Sequence, residues 1–162
     1  MPNVRSIRFF RAGLVLVPLI SFMVVLGCKS GSTAPAPPLT TLGKLQKAEN
    51  DITIAVSGAL AVTESLEAGG LVSQTLAAQI ATDLQKVTTV NNQLITITKG
   101  LSTLTPAQLS QIQNIVTPVS QAIQQDITSG ILGIKDPKSQ AAASAALAAV
   151  LVILQTVLSL GV

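Results

Sequence analysis

The sequence predicts an all-α protein: an antiparallel, up-down four-helix bundle over residues 39–162, preceded by two segments of different character. Three observations predict it. Apolar residues recur at helical spacing in four successive blocks. The plainest is Leu109, Ile112, Val116, Val119, Ile123 and Ile127, one stripe along a helix. The blocks are separated by helix stop and start signals, Gly69-Gly70, Gly100 and Asp136-Pro137, rather than by hairpin turns. The third observation is composition. The 162 residues are 48% hydrophobic but only 2% aromatic, and every phenylalanine and methionine precedes Gly27. The body must therefore build its core from Leu, Ile, Val and Ala, and its many alanines let helix axes approach closely.

The first helix is expected over 41–68, through Leu45, Ile52, Val56, Ala59 and Leu66, ending at Gly69-Gly70. The second is expected over 72–100, through Leu76, Ile80, Leu84, Val87 and Leu94. The third, over 106–129, opens on Thr105-Pro106-Ala107-Gln108. Thr105 caps it, Pro106 suits the first turn and Gln108 sits at the capping-box position. Pro118 lies inside it and predicts a kink. The fourth, over 137–160, starts at Asp136-Pro137. Two stretches, Asp51–Val56 and Gln93–Thr98, alternate with a period of two and are rich in β-branched residues, as strands are. Each lies inside a longer 3.6-residue pattern without bounding turn residues, and helix is the preferred reading.

The fourth block has no charge from Ser139 to Val162, long enough to span a bilayer. Ser144, Gln155, Thr156 and Ser159 interrupt it, and alanine contributes little to insertion. It reads as a buried bundle helix, with a membrane-inserted helix and an oligomer contact as alternatives.

The segment before Cys28 is different in kind. Arg5, Arg8 and Arg11, the only arginines, precede the uncharged, mainly apolar run Ala12–Leu26, which ends in Val25-Leu26-Gly27-Cys28. This arrangement resembles the signal and lipobox of bacterial lipoproteins. Leu26 stands where the usual motif has a smaller residue, and Val25 where it has leucine. The resemblance covers residues 1 to about 30 and implies a division into three parts. Residues 1–27 are a signal peptide cut between Gly27 and Cys28, and 28–38 are a lipidated cysteine and a flexible Ser/Gly/Pro tether. Residues 39–162 are the helical bundle. Cys28 then carries a diacylglycerol thioether, often with an acylated amine, and two or three chains hold a protein stably on a membrane where one does not. Lys29, not aspartate, follows the cysteine, which by the same analogy sends the protein to the outer membrane, facing the periplasm, if the cell is Gram-negative. The lone cysteine fits an exported chain with no disulfide. The mature body resembles no named family.

Charge confirms the join between two compositions. Ten basic and seven acidic residues give +3, and the excess belongs to the three N-terminal arginines. The pI near 9.4 is therefore no footprint of nucleic-acid binding. The body is neutral, and offers no arginine and no aromatic ring on which a base could stack. Up-down topology gathers Lys44, Lys47 and Lys99 at the tether end, where they are possible membrane-facing residues toward anionic head groups. The plainer reading is solvated charge offset by Glu49 and Asp51. At the other end Glu64, Glu67 and Asp126 are expected near Lys135 and Lys138.

No catalytic residue, metal ligand set or cofactor is predicted. Without histidine or a second cysteine, the usual transition-metal sites, His-based triads and thiol–His pairs have no components. No phosphate-binding loop occurs. Glu64 and Glu67, on one helical face, are a weak carboxylate pair more simply explained by a lysine neighbour. The expectation is a non-catalytic, lipid-anchored envelope module with a structural or protein-interaction role, its partners the membrane and an unidentified envelope protein. The alternatives are a membrane-active protein inserting its last helix, in a lysis, immunity or exclusion role, and a carrier of a small apolar ligand.

Overall fold

The computed structural model describes residues 39–160. The segments read from sequence as signal, lipobox and tether, with Gly27, Cys28 and Lys29, lie outside the described residues, as do residues 161 and 162. Four helices follow one another: α1 (Thr41–Ala68), α2 (Gln74–Thr98), α3 (Pro106–Gln125) and α4 (Pro137–Ser159). Among the described residues there is no strand.

Each helix begins on a side-chain cap. Thr40, Ser73, Thr105 and Asp136 accept from the backbone N–H groups of Gly43, Leu76, Gln108 and Ser139. At Thr105 the box closes both ways, since Gln108 Oε1 accepts from the Thr105 N–H at 2.9 Å. The end of α1 is a Schellman turn: Gly70 has φ +67°, its N–H reaches Glu67 O, and the Leu71 N–H reaches Leu66 O. Gly100, at φ +74°, instead sits in a type II turn after α2: Lys99 has ψ 122°, and the Leu101 N–H reaches Thr98 O at 3.1 Å.

The two β-like stretches are helical for a packing reason. Ile52 and Val56 are in the core while Ile54, which strand alternation would place beside them, is 72% exposed. Likewise Leu94 and Thr98 are buried while Thr96, which alternation would place with them, is exposed. The predicted α3 stripe packs inward at Ile112, Val116, Val119 and Ile123, with Leu109 and Ile127 half-buried at its ends. The α-helix runs through Pro118, on its exposed side, and the carbonyl deprived of a donor belongs to exposed Asn114.

The third helix does not continue to 129. At Asp126 it widens into a π-turn (Asp126–Gly130), then tightens into a 3₁₀ turn (Ile131–Gly133). Thr128 and Ser129 hydroxyls donate back to the Gln124 and Gln125 carbonyls, a local competition that disturbs regular winding. The change of pitch carries Ile131 and Ile134 into the core before α4 begins.

α1 packs on α2 and α4, and α3 packs on the same two helices. Cross-helix contacts show how their ends meet. Glu49, early in α1, bonds Thr98 at the end of α2. Gln79, early in α2, bonds Asp126 just after α3. An up-and-down course of neighbouring helices produces such pairings. The interior is a single cluster of Leu, Ile, Val and Ala, with Leu84, Val87, Leu94, Val116, Ile123, Val150 and Leu154 wholly enclosed. Burying such a side chain contributes about 1.5–3 kcal/mol. α4 is not enclosed on all sides. Leu147, Val150, Leu151, Leu154 and Val157 face inward, whereas Ala141, Ala142, Ala145, Ala149 and Val152 are exposed.

Candidate functional site

The end of the bundle at which α1 begins carries three of the residues singled out by the sequence. Lys44 and Lys47 lie in the first two turns of α1 and Lys99 follows α2; all three are exposed. The bond between Glu49 and Thr98 brings these helix ends together. Lys47 pairs with Asp51, and neither Lys44 nor Lys99 is in an ion pair among the described residues. Glu49 does not offset them as solvated charge. It is 7% exposed, turned inward at a position between Leu45 and Ile52 on the apolar stripe of α1. Burial raises the pKa of its carboxyl, and the bond from the Thr98 hydroxyl, at 2.8 Å, works in the opposite direction.

Asn91 extends this polar contact. Its amide nitrogen donates to Glu49 O and Thr53 Oγ1, each at 3.0 Å, while its Oδ1 is enclosed without a partner. Glu49, Asn91 and Thr98 were legible only as breaks in pattern: a polar side chain on an apolar stripe, at i+4 from Leu45, Val87 and Leu94 respectively. Helical spacing marks such positions as facing the core, and the cross-helix partner is what the sequence leaves open.

The same end holds a cleft of about 270 Å³ lined by Leu42, Leu104, Leu109 and Leu160 together with Thr40 and Ser102.

At the opposite end the expected ion pairing is not what forms. Glu64 and Glu67 are exposed on the last turns of α1, beside Thr63 and Gln74, and neither is in an ion pair among the described residues. Asp126 does not reach out to Lys135 or Lys138. It is 1% exposed and accepts from Gln79 Nε2 at 3.0 Å, because the π-turn seats it against α2. Burial raises its pKa most, the Gln79 bond opposes that, and the neighbouring Asp83 adds to it. Asp83 in turn pairs with Lys86. Asp136 is the opposite case: the Ser139 hydroxyl and N–H, at 2.6 and 2.7 Å, hold its carboxyl below the ordinary range. Among the described residues no three potential metal ligands stand together.

No family model matches this chain, and no curated protein or solved structure matches it.

Proposed function

We propose that this protein is a lipid-anchored helical module of the cell envelope, non-catalytic, whose bundle serves a structural or protein-interaction role. The observation that carries the reading is how the interior polar groups are spent. The bonds Thr98 to Glu49, Asn91 to Glu49 and Gln79 to Asp126 tie helix to helix instead of converging on a cleft. The anchor rests on Arg5, Arg8, Arg11, the apolar run and Val25-Leu26-Gly27-Cys28. Lys44, Lys47 and Lys99, gathered where the tether joins the bundle, are suited to anionic head groups.

The test is the intact mass of the protein from its native membranes. The expected species begins at Cys28 and carries acyl mass; an unprocessed chain would overturn the reading. Cys28→Ala should abolish the added mass and release the protein from membranes washed with alkaline carbonate.

A second reading is favoured by one observation. α4 is long and apolar enough to cross a bilayer, and only 33% of its most apolar stretch is buried. Insertion of α4, as in a lysis, immunity or exclusion protein, predicts that Cys28→Ala protein stays with the membrane through that wash.

A further inference from the structure

Asp126 is the most deeply buried acid among the described residues, at the point where α3 gives way to the π-turn. Its Oδ1 accepts from Gln79, but its Oδ2 is sealed from solvent and meets no donor. A carboxylate oxygen enclosed without a donor is costly. Asp83 lies one turn along α2 from Gln79, on the same face and 9% exposed, and is the acid whose charge adds to the raised pKa of Asp126. Asp83 Oδ1 accepts from Lys86 Nζ at 2.5 Å. Two neighbouring carboxyls in so enclosed a place do not both ionise readily. One proton on Asp126 Oδ2, directed at Asp83, resolves the orphaned oxygen and leaves the charge of Asp83 for Lys86.

We propose that Asp126 and Asp83 hold one proton between them, Asp126 donating and the Lys86-paired Asp83 accepting, and that this pair is a proton-operated latch fastening the end of α3 to α2. The surroundings make it specific. α2 presents Gln79, Asp83 and Lys86. α3, the π-turn beyond Asp126 and the 3₁₀ turn contain no other titratable side chain. α4, which also packs on the π-turn, carries only Lys138, after Lys135 and Asp136 in the connection. Asp136 is occupied by Ser139, and neither lysine pairs with an acid among the described residues. When the proton leaves to water, two neighbouring carboxylates are left with one ammonium, that of Lys86 on Asp83. The repulsion falls on the π-turn, whose Ile131 N–H to Asp126 O bond spans five residues. Such widened turns are scarce within helices and cluster at functional sites. The latch thus makes the α3–α4 connection pH-responsive at the end of the bundle remote from the tether, whatever anchors the chain.

The test is a carboxyl carbon-13 NMR titration of the full-length chain in detergent micelles, the Asp126 signal being assigned by its loss in Asp126→Asn. Asp126 is expected to titrate above the ordinary aspartate range, and Asp83→Asn to move that titration downward. Titration in the ordinary range, or a titration that Asp83→Asn does not move, would overturn the shared proton. The latch itself is read by amide exchange over residues 126–134, corrected for intrinsic base catalysis. Protection should fall with rising pH in the native chain and stay level in Asp126→Asn, which keeps a permanent donor toward Asp83. An equal fall in both would refute it.

Discussion

The Thr98 hydroxyl donates to the Glu49 carboxyl at 2.8 Å across the α1–α2 contact, closing the interior where the chain enters the bundle. Both residues are buried, so the bond is the partner that makes an acid on an apolar stripe tolerable. Thr98→Val removes the donor while keeping the shape, and should cost about 1–3 kcal/mol, the penalty of an unsatisfied buried group. Urea unfolding of both proteins measures it. Glu49→Gln retains an acceptor and should cost less. A Thr98→Val protein as stable as its parent would show that the bond carries no weight.

Stability should depend on pH with a definite sign. Glu49 and Asp126 have raised pKa values in the folded chain, chiefly through burial. The folded protein therefore holds protons that the unfolded chain has already released. Their contribution is complete below the ordinary carboxyl range and is lost as pH rises through the folded values. Asp136 works the other way: its contribution is present above the ordinary range and lost as pH falls through its lowered value. Unfolding midpoints should fall as pH rises from the ordinary carboxyl range toward neutrality, and the double variant Glu49→Gln, Asp126→Asn should flatten that slope. Midpoints that climb across this interval would contradict the burial of both acids.

Ile52 and Ile54 decide between helix and strand by experiment. Ile52 is 1% exposed and Ile54 72% exposed. Ile52→Ala should cost about 2–5 kcal/mol through lost burial and a residual cavity, and Ile54→Ala no more than about 0.5 kcal/mol. Equal costs, as two strand residues on one buried face would give, would count against the helix.

The capping box at the start of α3 is a local element whose loss is measurable. Thr105→Ala removes the hydroxyl that accepts from Gln108 N and should destabilise the protein by about 0.5–2 kcal/mol. Circular dichroism during thermal unfolding checks it.

α4 offers a direct comparison of its two sides. Val152 is 60% exposed, whereas Leu154 is wholly buried. Val152→Lys should leave folding within about 0.5 kcal/mol of the parent; Leu154→Lys should prevent or severely weaken it, since an unpaired charge would enter the core. Under membrane insertion of α4, Val152→Lys would instead impair membrane retention of the Cys28→Ala chain.

Much of this architecture was legible because it is written in local chemistry. Thr105, Pro106 and Gln108 announced the start of α3, Asp136-Pro137 that of α4, and Gly69-Gly70 the end of α1, each through hydrogen bonds made within a few residues. The stripe from Leu109 to Ile127 was equally plain, because helical periodicity depends only on spacing. The end of α3 was not. Thr128 and Ser129 are unexceptional in sequence, and the π-turn forms because back-bonding hydroxyls, a buried Asp126 and the inward pull of Ile131 and Ile134 act together.

By itself the sequence determined four helices, an aliphatic core without aromatic rings, and a neutral body behind a basic N-terminal segment. These follow from residue spacing, capping chemistry and composition, which no distant contact alters. Only the tertiary structure decided that Glu49 and Asp126 are interior rather than solvated, that Asn91 and Gln79 are their cross-helix companions, and that α4 keeps one uncharged side outward. A side chain's ionisation and exposure depend on what a second helix places beside it, and that neighbour is brought near only by folding.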